Sequence, residues 1–312
     1  MNNISYAQQE NKSIIGANFF GSLMAVAIFF AVIAVPLNAW SHSRWIVPSH
    51  SILSGKNSEY VSLDISISND IFHPDNSAGG VSYKSVGQSP KGAGASQVVT
   101  VFSPDGTVDK SNPIVSVMRK SVSAVLLDQS GTYKISFEQA PLVLTLFKNK
   151  DGSPGRIFGP LKNTKSRLPD GANEIHEMEL NNEISTYITR NDVTTDQLKP
   201  AGKGLELVFK THPNEMFVGE QSELSLLFDG KPVTAGTNVL LTRQGTRYRN
   251  DRESIDAKTD EAGNFSVDWK KSGLYLLECE IEMDDANHKP TQNESQRKIV
   301  HAVYVTLEVN AE

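Results

Sequence analysis

From Tyr60 to Ser68 apolar and polar residues alternate, with Val61, Leu63, Ile65 and Ile67 in one phase. A period of two is that of a strand with one face buried. The same phase runs through Leu205, Leu207 and Phe209, and through Val303, Val305, Leu307 and Val309. Shorter apolar runs at 45–48, 97–102, 131–137, 142–147, 224–228, 239–241 and 274–281 read as further strands. Turn residues punctuate them: Ser103-Pro104-Asp105-Gly106, Asp229-Gly230-Lys231-Pro232 and the stretch 259–265. Residues 115–127 fit either a short helix or a strand, and the Gly-rich, polar stretches 76–96 and 149–173 read as loops. Short strands at regular spacing predict an all-β fold, two immunoglobulin-like β-sandwich domains in tandem. Linker composition at 194–203 sets the expected boundaries at 42–199 and 204–312. One echo supports two halves of similar plan: Ser130-Gly131-Thr132-Tyr133 matches Ser272-Gly273-Leu274-Tyr275.

One segment breaks the pattern. Residues 19–35 carry no charge, Lys12 lies upstream, and Pro36, Ala39 and Ser41 follow. This is the layout of a signal peptide spanning 1–41, with cleavage after Ala39 or after Ser41. It predicts a periplasmic protein; the run also nearly reaches the length of an uncleaved inner-membrane anchor.

Composition narrows the chemistry. Hydrophobic residues make up 38% and charged residues 21%, which suits a globular protein, and the net charge of −6 supplies no basic face for a nucleic acid. It leaves a divalent cation acceptable. The single cysteine, Cys279, excludes an intrachain disulfide and a Cys-rich zinc site, and its phase with Tyr275, Leu277 and Ile281 puts it on an inward strand face. Neither a Gly-x-Ser-x-Gly elbow nor a His-Glu-x-x-His helix occurs, so the expectation is a non-enzymatic protein.

Histidines are the remaining candidates for chemistry. Cleavage after Ala39 gives a chain beginning Trp40-Ser41-His42, whose amine, two amides and imidazole form a square of nitrogens suited to Ni(II) or Cu(II). Cleavage after Ser41 puts amine and imidazole on His42 itself, which then needs a second histidine. His50 and His73, with Asp70 or Asp75 nearby, are the candidates, because neighbouring strand ends of a sandwich meet at one edge. The predicted metal ligands are therefore His42, His50 and His73. Binding through neutral imidazole falls away below about pH 6. His176 reads as solvated and His301 as a core histidine. The cluster Arg243, Arg247, Arg249 and Arg252 reads as an internally paired loop or as a docking patch for a partner.

Several stretches resemble one family: 41–50, 67–74, 226–233, 246–249, 259–265 and 273–278. The chain is similar to a large exported family of unassigned function, labelled the periplasmic component of ABC-type cobalt/nickel transport systems. Its second domain resembles carboxypeptidase regulatory-like sandwiches. The resemblance implies a histidine just after the signal peptide, here His42, a Ni or Co ion as ligand, and an inner-membrane metal importer as partner. The readings carried forward are a metal-binding accessory for uptake, an envelope interaction module without metal, and a copper-binding oxidative protein with an N-terminal histidine.

Overall fold

Two long strands organise the structure. Asn173–Arg190 and Lys298–Val309 run parallel, with Ile184 beside Tyr304 and Ser185 beside Val305. The computed structural model describes residues 42–85, 97–160 and 164–311. The expected export segment lies outside them. Among the described residues no helix is long and apolar enough to cross a membrane.

In chain order the strands are β1 (Ser43–Pro48), β2 (Ile52–Leu53), β3 (Glu59–Ser68), β4 (Asn76–Ser77), β5 (Val81–Ser82), β6 (Val98–Phe102) and β7 (Val108–Pro113). Then come β8 (Val115–Val117), β9 (Lys120–Leu127), β10 (Gly131–Glu138), β11 (Leu142–Lys148), β12 (Pro154–Gly159), β13 (Asn173–Arg190) and β14 (Leu205–Phe209). The last are β15 (Gln221–Phe228), β16 (Lys231–Pro232), β17 (Asn238–Arg243), β18 (Ile255–Lys258), β19 (Asn264–Asp268), β20 (Gly273–Asp284) and β21 (Lys298–Val309). They form three sheets. A six-stranded sheet is ordered β1-β3-β9-β8-β5, with β4 beside β3. A four-stranded sheet is ordered β14-β15-β16, with β19 beside β15. An eleven-stranded sheet is ordered β18-β17-β20-β21-β13-β10-β6-β7, with β2 and β11 also on β13 and β12 on β11.

The all-β expectation holds, and the long sheet joins the two expected halves. Strand alternation explains how. Ile184, Ile188, Leu276, Ala302 and Tyr304 enter the core they share with Trp45, Leu63, Ile65 and Val125 of the six-stranded sheet. The intervening Tyr187, Tyr275, Leu277, Val303 and Val305 enter a second core, with Leu224, Leu226, Phe265 and Trp269 of the four-stranded sheet. Side chains of opposite parity on one strand point to opposite faces. The middle of β13, β20 and β21 thus lies between two smaller sheets, and His42–Glu312 is one compact unit.

The repeated Ser-Gly-x-Tyr motif marks equivalent places. Gly131 and Gly273 hold φ values of 133° and 125°, backbone that side chains resist. Each tyrosine hydroxyl then donates to a carbonyl four residues back, Tyr133 to Gln129 at 3.1 Å and Tyr275 to Lys271 at 2.8 Å. This tyrosine corner is a hallmark of immunoglobulin-like sandwiches.

Of the local expectations, residues 115–127 resolve to the strand alternative and the loop at 149–173 differs. Residues 115–127 are two strands, β8 and β9, joined at Met118, whose φ is 56°. The expected loop at 149–173 contains β12, an edge strand, which tolerates Pro154 at its start. Gly155 is needed there, because a Cβ would lie 2.4 Å from the Phe147 ring. β13 itself has no clear periodicity in the sequence, because Asn182, Thr186 and Thr189 interrupt it. Each is buried and bonded to a distant partner: Gln139, the Thr306 carbonyl and Asn214.

Candidate functional site

The start of β1 and the end of β3 are paired, Ser43 opposite Ser68. That register brings His42 to the turn that follows β3. His42 is exposed, and its Nδ1 donates to Asn69 Oδ1 at 2.7 Å. Its carbonyl accepts from the buried Arg44 guanidinium at 2.8 Å, so its backbone is held as well. Arg44 in turn reaches Gln139 at 3.2 Å and the Tyr304 hydroxyl at 3.2 Å, which ties the corner to the central sheet.

The turn is built for this position. Ser68 Oγ accepts from the Asp70 amide and donates to Asp75, and the His73 amide donates to the Asp70 carbonyl. Phe72 takes a φ of 59° and packs edge-on against Trp45 at 5.7 Å. His73 is thereby turned back, its Nδ1 donating to the Ile71 carbonyl at 3.1 Å and lying 3.9 Å from Asp70 Oδ2. Both His42 and His73 thus spend the Nδ1 proton on an oxygen of residues 69–71. That fixes the tautomer with a lone pair on Nε2, the arrangement usual for a metal-binding imidazole.

Across the corner stands the loop between β17 and β18. Thr246 Oγ1 donates to Asp70 Oδ1, and Arg247 Nε donates to Asp70 Oδ2 at 3.0 Å. Burial pushes the Asp70 carboxyl up, but the Thr246 hydroxyl, the Arg247 guanidinium and nearby His73 outweigh it and hold the group below its usual value. Tyr248 then lies edge-on to His73, ring centres 6.1 Å apart, and is 83% exposed. The loop keeps its shape because the Arg249 side chain turns inward. Its guanidinium donates to the carbonyls of Arg243, Gln244, Asp251 and Arg252.

His50 does not join this corner. It is exposed at the far end of β1, its Nδ1 3.3 Å from Ser49 Oγ. It lies eight positions beyond His42, roughly 26 Å at the usual rise of an extended chain. Asp75 sits by the turn but is bonded to Ser68 and 3.7 Å from Arg119. Among the described residues no group of three or more His, Cys, Asp or Glu is placed to hold a metal. Of the three predicted ligands, the structure brings His42 and His73 to one turn and leaves His50 apart.

The other singled-out residues are structural. His176 is exposed and bonded to Ser295. His301 packs edge-on against Phe228 at 4.9 Å, and burial pushes its imidazole below the ordinary value. Cys279 is buried, and burial followed by the nearby Glu280 charge pushes its thiol up to about 12. Asn69, Thr246 and Tyr248 escaped the sequence reading as site residues, and Arg247 entered it only as part of a paired or docking loop. Their contacts cross up to 177 positions, and a polar loop carries no periodicity to announce them.

The model of a family described as a domain of unknown function (DUF4198) matches residues 39–283. No curated protein matches the chain. Among solved structures, trypsin-activated alpha-2-macroglobulin from Escherichia coli aligns at 12% identity and a TM-score of 0.21, over 85% of this chain and 16% of that one. The D0-D1 domain of intimin aligns at 10% and 0.19, over 84% and 96%. The I-band fragment I67-I69 from titin aligns at 10% and 0.19, over 87% and 66%. The chain spans about a sixth of the macroglobulin's length, and scores this low say nothing of activity.

Proposed function

The chain belongs to the DUF4198 family, and for it we propose a non-enzymatic, exported accessory role in which the corner at residues 69–73 binds a divalent transition metal. The observation that carries this reading is that His42 and His73 both give Nδ1 to oxygens of one short turn. Two imidazole Nε2 atoms suit Ni(II), Co(II) or Cu(II) better than a hard cation. Water would complete the coordination. A chelate through the His42 backbone nitrogen closes its smallest ring through Nδ1, which would have to leave Asn69. Binding through Nε2 keeps that bond. The nickel/cobalt uptake label, the periplasmic location, the importer as partner and the carboxypeptidase regulatory-like likeness of the second half all belong to this proposal.

The test is calorimetric titration of the processed protein with nickel, cobalt and copper salts. The expected result is tight binding that is weakened by His42→Ala and by His73→Ala and untouched by His50→Ala. If His42→Ala and His73→Ala bind as the parent does, the assignment is wrong.

A second reading rests on a different observation. Tyr248, almost fully exposed on a loop braced from within by Arg249, has the character of an interface anchor. In that reading the chain is an envelope interaction module, metal-indifferent, and sensitive to Tyr248→Ala.

A further inference from the structure

β13 is longer than the core that covers it. From Ile184 to Ile188 its even-numbered side chains enter the first core. Before that, Met178 and Leu180 stand on the same face and are only partly buried. The register supplies their neighbours. Leu142 and Leu144 of β11 lie opposite Leu180 and Met178, and Phe158 of β12 lies opposite Leu144. Leu146 continues the row at 37% exposure, and Phe158 is 49% exposed. The other face of these strands is closed, where Phe147, Ile157 and Ile175 pack with Leu168 and Ala172. Isolated surface apolar residues are ordinary, but six contiguous ones on one sheet face mark an interaction surface.

The charges at its edges differ. On the β12 side Arg156 lies opposite Leu146 and is exposed. On the β20 side Glu282 and Asp284 share the single Lys298, at 3.3 and 2.8 Å, and Glu280 is exposed one position along the row. One edge is basic and the other acidic. The order across the patch is β12-β11-β13-β21-β20, so β13 is its midline, with two strands on either side.

We propose that this face binds a second copy of the chain, face to face about a two-fold axis along β13. That axis lays β12 of one copy over β20 of the other, so each Arg156 meets the partner copy's acidic edge, twice over. The apolar rows on β11 and β13 close the middle. The patch is about 19 Å across at the usual strand spacing and only a few residues long. It is smaller than a standard interface, so the dimer is weak and forms at high local concentration.

Cysteine cross-linking of the full chain tests this, since Cys279 is buried and its thiol is pushed up to about 12, which leaves a silent background. Met178→Cys, near the axis, is treated with a bifunctional maleimide able to span the ~10 Å between packed sheets. A covalent dimer is expected from it and not from Tyr60→Cys, which is exposed on the six-stranded sheet. Adding Arg156→Glu should cut the yield about fivefold, and adding Glu282→Lys with Asp284→Lys should restore it. These are exposed positions, so the swaps leave the core intact. A Met178→Cys yield no higher than that of Tyr60→Cys overturns the proposal, and so does an adduct to some other protein alone. A dimer indifferent to Arg156→Glu overturns the two-fold arrangement.

Discussion

His212 shows how single polar side chains lock the two halves together. Its Nε2 donates to Thr132 Oγ1 at 3.0 Å, and its Nδ1 accepts from the Asn214 amide at 3.2 Å. Asn214 continues the chain to Thr189 and to the carbonyls of Ser51 and Tyr187. Burial pushes the His212 imidazole below its ordinary value of 6.5, more than the Thr194 carbonyl raises it. The unfolded chain therefore takes up a proton where the folded one does not, so this contribution to stability is present above the ordinary value and is lost as pH falls below it. Melting temperatures measured from about pH 7.5 down to about pH 5.5 should drop in the parent, and His212→Gln should start lower and show a flatter slope. An unchanged slope in the variant would place the titration elsewhere.

At the scale of elements, the loop between β17 and β18 is braced from within by the Arg249 side chain rather than by strand pairing. Removing the Arg249 guanidinium leaves carbonyls of Arg243, Gln244, Asp251 and Arg252 without that donor. Arg249→Ala should make residues 244–253 sensitive to limited proteolysis while the melting temperature moves by only a few degrees. Arg249→Lys should rescue this poorly, because an ammonium cannot reproduce the planar fork. The sequence announced the neighbouring strands well. Alternation at 60–68 and 303–309 reads directly as β3 and β21, and the Ser-Gly-x-Tyr echo reads as a shared corner. β13 was illegible because its buried polar residues are satisfied by partners far along the chain, which a local window does not see. The candidate corner was legible in part. His42 and His73 stand out by type and position, whereas Asp70 acquires Thr246 and Arg247 only through folding. His50 failed because nearness along the chain means separation along an extended strand.

For the whole molecule, the central sheet decides cooperativity. β13, β20 and β21 each line two cores, so neither half can lose its packing without exposing the other. Calorimetry should show one transition, with van't Hoff and calorimetric enthalpies in agreement. Two resolved transitions would mean that the halves unfold separately despite the shared strands.

The position of β21 has a consequence for how the protein is made. The strand that sits between β20 and β13 also follows every other described strand along the chain. Until Lys298–Val309 emerge, β13 lacks its long parallel partner and neither core has its full floor. Contacts closed over so long a stretch form slowly. A growing chain that lacks β21 leaves the core faces of β13 and β20 open, and both cores close only once that strand has paired.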